Sequence, residues 1–364
     1  MHDQPFGQRI LSWAGGPAEV DRFVALGGIR LPAEPDLAAL RQTLDAVVAR
    51  HPVLGEGPVP LRTVDDVWAA AAARRYPPDA RCLLWAYLAG TELLLVAHHN
   101  VTDPWSMRLL VREVLKPGSG PAPSYYHHRA ATHPPHRVTR FTPFWNRMLT
   151  DVPALTPGAG GQLGTAEFRA PSGITQGGAG AVARAVRSTP FVVLFTAFAR
   201  ALGPLCQGET VVPVLTHGRR RSDWDTVGLY MNVLPVRLGP STVGAVHHAF
   251  AEAYANEIPF PLLLDAVPQA DALFADGGPS LAQFEVVQVP DGGGVEPLTI
   301  PAGLGLGGPV LPVNGLAFWL EPGAAGAYTV CLRYRRSYRD AEMRALVRRF
   351  VDRWEEIDAH ATRT

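Results

Sequence analysis

The groups in this chain best placed to do chemistry are two adjacent histidines, His98 and His99, with Asp103 four residues beyond. A neutral imidazole titrates near physiological pH and can take a proton from an amine or hydroxyl as that group attacks an acyl carbon. The same residues also suit a structural role, with two hydrogen-bonded histidines and Asp103 as a helix cap. Zinc lacks support, because no third or fourth ligand stands at a usual spacing and Cys82, Cys206 and Cys331 all lie far away.

The flanking residues say how such a pair would be held. Leu93 to Ala97 read as a buried strand, and the exit of such a strand is a rim position where ligands bind. Side chains alternate along a strand, so His98 and His99 should point to opposite faces. Asp103 followed by Pro104 is a strong helix start, since the carboxylate accepts first-turn amides and proline fits the first helical position. Met107, Leu110, Val111, Val114 and Leu115 then recur at three- and four-residue spacing, giving that helix one apolar face.

With 364 residues and 47% hydrophobic content, the chain is long enough for two packed domains sharing a cleft. A formal net charge of +0 recruits neither nucleic acid nor an acidic membrane surface. No leader-like opening is evident, and no apolar run approaches the ~18 residues needed to span a bilayer. The expectation is therefore a soluble cytoplasmic protein, with three cysteines too few and too scattered for a disulfide framework. Gly 36 and Pro 34 predict long, turn-rich loops.

In chain order, QRILSWAGG and VDRFVALGGIRL suggest early strands, and Asp36 caps a helix with Leu37, Leu40, Leu44, Val47 and Val48 on one face. Asp65 or Asp66 starts another, from Val67 to Arg75. CLLWAY and ELLLVAH read as a hairpin across LAGT, which makes the histidine strand central. KPGSGPAPSYYHHRAATHPPHR reads as a surface loop whose His127, His128, His133 and His136 are solvated, and the Gly-rich passage from Thr150 to Gly178 as the connection between halves. Thr189 and Pro190 start a buried helix over Phe191 to Leu202. VVPVLTHG is a strand, and Val227 to Leu238 a strand or strand pair broken at Gly228 and Pro235. Leu281 to Val289, Leu316 to Leu320 and Tyr328 to Tyr334 are further strands, with DGGGVEPLTIPAGLGLGGP as a mobile loop among them. Asp340 caps a closing helix bearing Met343, Leu346, Val347, Phe350, Trp354 and Ile357.

HHNVTDPWS resembles the His-His-x-x-x-Asp-Gly-x-Ser signature of nonribosomal peptide condensation domains, a superfamily with the chloramphenicol acetyltransferase fold. Four other blocks resemble that family in the expected order: ALRQTLDAVVARHPVL, FTPFWNRML, GRRRSDWDTVGLYMNVLPVRL and NEIPFPLL. The resemblance implies an α/β (α+β two-layer) fold, with two acetyltransferase-like halves in a V around a shared central channel. Residues 1–165 would form the half with the histidine motif and 166–364 the other.

It further implies an acyl group delivered as a thioester, on an acyl or peptidyl carrier protein or on coenzyme A. A small-molecule amine or hydroxyl acceptor would attack it to give an amide or ester. No cofactor is implied beyond a phosphopantetheine arm or coenzyme A as part of the donor, and no metal, nucleic acid or membrane partner. By position His99 matches the family's active-site histidine, as base or as positioner of the nucleophile. His98 would be structural, and Asp103 would pair with an arginine, Arg237 first and Arg219 second. Pro104, Trp105, Ser106, Tyr230 and Asn232 would line the channel.

The chain departs from the family at several places. Pro104 replaces glycine and removes an N–H, Tyr230 replaces phenylalanine, and the opening Ser-x-x-Gln block and the arginine after Leu54 are missing. Together with the short length, these suit a freestanding, specialised member without carrier or adenylation domains. The alternatives are a catalytically silent platform for a carrier protein or tailoring enzyme, and a cyclising, thioester-releasing or epimerising variant.

Overall fold

The computed structural model describes residues 23–77, 80–118, 122, 124–125, 135–156, 165–206, 208–239, 241–275, 277–287, 298, 301, 314–323 and 326–363. The chain forms two compact units. One comprises Met1–Pro134, His217–Met231 and Gln288–Leu311, and the other Pro135–Thr216, Asn232–Val287 and Pro312–Thr364. The expected single division between 165 and 166 is replaced by exchanged segments, so the loop after His217 belongs to the histidine-bearing unit.

The first unit runs β1 (Val24–Arg30), α1 (Leu37–Arg50), β2 (Leu61–Thr63), α2 (Val67–Ala72), β3 (Leu84–Ala89), β4 (Glu92–His98) and α3 (Pro104–Leu115). Its sheet has the order β1-β4-β3-β2, antiparallel except for the parallel β2/β3 pair. Asp36 caps α1 by accepting Ala39 N at 2.8 Å, and Asp66 caps α2 by accepting Trp68 N at 2.7 Å. β4 is apolar from Leu93 to Ala97 because both its faces are covered there. Leu93, Leu95 and Ala97 share a core with α1 and α3, while Leu94 and Val96 share one with Trp85, Tyr87 and α2. A Cβ on Gly27 would meet Val111 Cγ2 at 3.0 Å, so glycine in β1 lets α3 lie close on the sheet.

The second unit runs α4 (Pro135–Met148), β5 (Thr165–Thr175), α5 (Gln176–Ala185), α6 (Pro190–Ala201), β6 (Thr210–Thr216), β7 (Asn232–Leu238), α7 (Val243–Ala255), α8 (Phe260–Ala266), α9 (Pro268–Phe274), β8 (Ala282–Val286), β9 (Leu316–Pro322), β10 (Ala327–Arg335) and α10 (Asp340–Ala361). Its sheet order is β5-β10-β9-β8-β6-β7. A run of aromatic contacts seals α6 and α10 to one sheet face. Phe198 lies 4.9 Å from Phe284 and 4.8 Å from Phe318, and Phe318 lies 4.9 Å from Phe350.

Several expectations change. β5 and α5 occupy the end of the passage read as a connection, because β5 gains its partner only from β10, some 160 residues later (Phe168 opposite Leu332). Residues 227–231 are not a strand; β7 begins at Asn232, and Pro235 sits within it, tolerated because β7 is an edge strand. Asp340 is the first residue of α10 rather than its cap. The helix opens at Arg339, whose N–H donates to Glu342, and Asp340 accepts from Tyr334 Oη at 2.6 Å. α4 begins at Pro135, so the end of the expected surface loop is helical. QRILSWAGG, PGAGGQLG, His127, His128 and His133 lie outside the described residues. Among the described residues no single helix is long and apolar enough to cross a membrane; the bent pair α5 and α6 meets that test only when taken together. No group of three or more His, Cys, Asp or Glu among them is arranged to hold a metal ion.

On β8, Glu285 is buried, and burial together with the Glu321 carboxylate pushes its pKa up to about 7. The folded state therefore holds the proton more tightly than the unfolded chain. Stability should fall as pH rises from the ordinary carboxylate range to about 7, by about 3 kcal/mol in total. Glu285→Gln should remove that slope, so that the variant outlasts wild type in urea at pH 8 while the two match more closely at pH 5. Equal midpoint changes at both pH values would contradict the assignment.

Candidate functional site

The histidine loop is built from its two ends. β1 fixes the first, because His98 stands opposite Val24 in the ladder and His99 N donates to Phe23 O at 2.9 Å. His98 is buried; its Nδ1 accepts Asn100 N at 3.2 Å, and its ring meets Tyr76 at 5.4 Å. His99 is half-buried on the other side, with its ring stacked on Phe23 at 4.7 Å and 14°. The alternation expected for the pair is observed, and it separates a packed imidazole from one with solvent access.

Burial lowers the His99 pKa. The backbone of His99 and Thr102 and the Asp103 carboxylate offset this in part. The ring is therefore neutral at neutral pH, the form able to accept a proton. His99 Nδ1 is buried and has no hydrogen-bond partner within normal geometry.

Asp103 fixes the second end. Its Oδ1 caps α3 by accepting Ser106 N at 2.7 Å, and Pro104 occupies the first helical position. Its Oδ2 accepts Tyr230 N at 3.0 Å. Arg219 Nη2 lies 2.9 and 3.0 Å from the two carboxylate oxygens, and both side chains are essentially fully buried. The Arg219 Nη1 donates to the carbonyls of Asp223 and Thr226, at 2.8 and 2.6 Å, and its guanidinium lies 4.2 Å from the Tyr230 ring centre. Such a pair survives burial because both terminal nitrogens of the guanidinium are hydrogen-bonded, leaving only Nε buried without a partner.

Ser106 completes the clasp. Its hydroxyl donates to Gly228 O at 2.7 Å and accepts from Gly228 N at 3.0 Å and from Arg219 Nη2 at 2.7 Å. This is why residues 227–231 form no strand: their peptide groups are bonded to the side chains of Ser106, Asp103, Arg219 and Tyr125 instead.

The leading expectation for the partner of Asp103 is corrected. Arg237 lies on β7, where it donates to Glu209 at 3.0 Å and to Thr150 O at 2.7 Å. The second-ranked Arg219 forms the ion pair, carried to Asp103 by the loop that leaves β6. Asn232 is also committed elsewhere: it donates to Glu257 and Ile258 O and accepts Phe260 N at 2.8 Å, tying β7 to α8. Trp105 is half-buried, and its indole N–H donates to Trp224 O at 2.9 Å. Tyr230 is buried, with its phenol pKa raised by burial.

One residue escaped the sequence reading. His217 follows β6 as His99 follows β4, and that shared strand-exit position was its signal. Its Nδ1 accepts Arg219 N at 3.0 Å, and its ring lies 6.0 Å from Trp105. Burial and Arg219 lower its pKa. The thiols offer no competing nucleophile: burial raises the pKa of Cys206 to about 11 and raises those of Cys82 and Cys331 as well.

No protein-family model matches the chain. It is 28% identical over 302 residues to a probable non-canonical nonribosomal peptide synthetase, CymA, of Salinispora arenicola, and spans about 4% of that protein's length. Among solved structures, SgcC5 of Streptomyces globisporus superposes with a TM-score of 0.74 at 22% identity, covering 98% of each chain. The condensation domain of the monacolin K polyketide synthase MokA gives 0.72 at 14% identity, covering 97% of this chain and 96% of that one. The first condensation domain of the calcium-dependent antibiotic synthetase gives 0.70 at 19% identity, covering 97% and 95%. With two mixed α/β sheets and likeness over nearly its whole length, this chain has the fold of the condensation domains of nonribosomal peptide and polyketide synthases.

Proposed function

We propose that the chain is a condensation-type acyltransferase that makes an amide or ester from an acyl thioester and an amine or hydroxyl acceptor. The observation that carries this reading is His99, a neutral imidazole with solvent access, held by stacking on Phe23 and by a loop clamped through Asp103 and Arg219. In the step proposed, the acceptor's lone pair forms the new bond to the thioester carbon and His99 takes the acceptor's proton. The C–S bond then breaks, and the departing thiolate receives that proton from the imidazolium. A preorganised ring also supplies rate by holding the acceptor near the carbonyl. The donor is presented on a carrier-protein phosphopantetheine arm or on coenzyme A, and the acceptor is a small molecule.

A second reading, a silent platform for a carrier protein or tailoring enzyme, draws on Pro104, which offers no N–H beside the site. It also draws on likeness to the X-domain of teicoplanin biosynthesis, solved in complex with OxyB (TM-score 0.67, 16% identity, covering 97% of this chain and 92% of that one). The deciding experiment is intact-mass detection of transfer from carrier-bound and coenzyme A-bound acyl donors to amine and hydroxyl acceptors. A product mass that accumulates only with the protein present is the expected result. Tight carrier binding with no turnover of any donor would favour the platform.

A further inference from the structure

At the opposite end of α3 from Asp103, the first unit holds a cavity of about 480 Å³. One face of the helix forms its wall: Leu109, Arg112, Glu113 and Lys116 recur at three- and four-residue spacing. Arg50 and His51 at the end of α1, Gly118, and Asp225 and Val227 complete it, with Leu115 beside them.

The charges divide into a satisfied floor and an unsatisfied rim. On the floor, buried Glu113 is already taken by Arg50 Nη1 and, at 2.7 Å, by His51 Nε2. On the rim, Arg112 and Lys116 are exposed, lie one turn apart, and have no ion-pair or hydrogen-bond partner among the described residues. Two like charges at that spacing repel, offset by the negative end of α3 and, across the cavity, by the Asp225 carboxylate, neither of which is a direct partner. Arg50 Nε is also buried without a partner. Apolar surface from Leu109, Val227 and Leu115 lines the same space, and Leu115 is 38% exposed although the sequence placed it in the core stripe.

We infer that this cavity binds a small amphipathic oxyanion, a medium-chain carboxylate or the corresponding phosphate ester. Its head group sits between Arg112 and Lys116 and its chain lies against Leu109, Leu115 and Val227. The volume suits a small molecule. Among the described residues no aromatic ring lines the cavity to stack a nucleobase, and Asp225 on the far wall disfavours a polyanion. The inference concerns binding alone and stands whether or not the acyl-transfer reading does.

The test is calorimetric titration of the full chain with octanoate, octyl phosphate, octylamine and inorganic phosphate. Octanoate, octyl phosphate or both should bind, and which of them binds tells a free acid from a phosphate ester. Octylamine should not bind, and inorganic phosphate should bind more weakly than octyl phosphate. Arg112→Ala with Lys116→Ala should weaken the octyl oxyanion at least about tenfold, since two charge-assisted contacts are lost. Both residues are exposed, so an unchanged melting temperature separates this loss from unfolding. Leu115→Ser should weaken octyl binding without affecting inorganic phosphate. Absence of binding, equal binding of octylamine, full affinity in the double variant, or inorganic phosphate as tight as octyl phosphate would each overturn the inference.

Discussion

Replacing His99 with alanine should slow acyl transfer by orders of magnitude while leaving the fold intact. The ring is half-buried and stacks on one face of Phe23, and it bears no load in the β1/β4 ladder, where only its backbone N–H is used. Loss of a positioned base slows transfer about 10²- to 10⁴-fold. His98→Ala should behave in the opposite sense, because that imidazole is packed between Phe23 and Tyr76 and bonded to the Asn100 amide. It should lower the melting temperature more than it slows transfer. The check is single-turnover intact-mass kinetics with a loaded acyl thioester, beside circular dichroism melts of both variants. Wild-type turnover by His99→Ala would refute the roles of base and of positioner alike and leave a structural histidine.

Removing the Asp103 carboxylate should produce the largest loss of stability. Asp103→Ala deletes a helix cap, worth about 1 kcal/mol. It also strands a buried Arg219, and breaking such a pair costs about 3–5 kcal/mol. The backbone of Tyr230 loses its acceptor as well, so residues 227–231 should loosen along with α3. Arg219→Ala should be similarly severe, since it leaves Asp103 buried and unpaired and frees the carbonyls of Asp223 and Thr226. The double variant should cost much less than the sum, because each single change leaves a lone buried charge that the other removes. Urea unfolding of the four proteins measures the coupling. Arg237→Ala, whose partners are Glu209 and the Thr150 carbonyl, should be additive with Asp103→Ala. Additivity between Asp103 and Arg219 would mean that the pair holds nothing beyond the cap.

Local chemistry alone determined much of this protein. Asp103-Pro104 announced the start of α3, Asp36 and the Asp65-Asp66 pair announced two more helices, and the apolar run from Leu93 to Ala97 marked β4 as a buried strand. The period-two geometry of that strand also gave His98 and His99 opposite faces, while which of them is packed and which accessible came from the structure. These signals are legible because their causes lie within a few residues of one another.

What required the tertiary structure is everything whose cause lies far along the chain. β5 has an edge-strand pattern too weak to be seen beside its glycines and prolines, and only β10 gives it hydrogen bonds. Residues 227–231 carry strand-like side chains, yet their peptide groups are claimed by Ser106, Asp103 and Arg219, which no local pattern reveals. The choice between Arg219 and Arg237 had the same character. Both are arginines near a strand, and composition cannot rank them. Arg237 points from β7 to carbonyl and carboxylate oxygens of its own unit, whereas the loop after β6 crosses into the histidine-bearing unit and buries Arg219 against Asp103. A buried charge must find its counter-charge, and which one it finds is decided by the path of the chain.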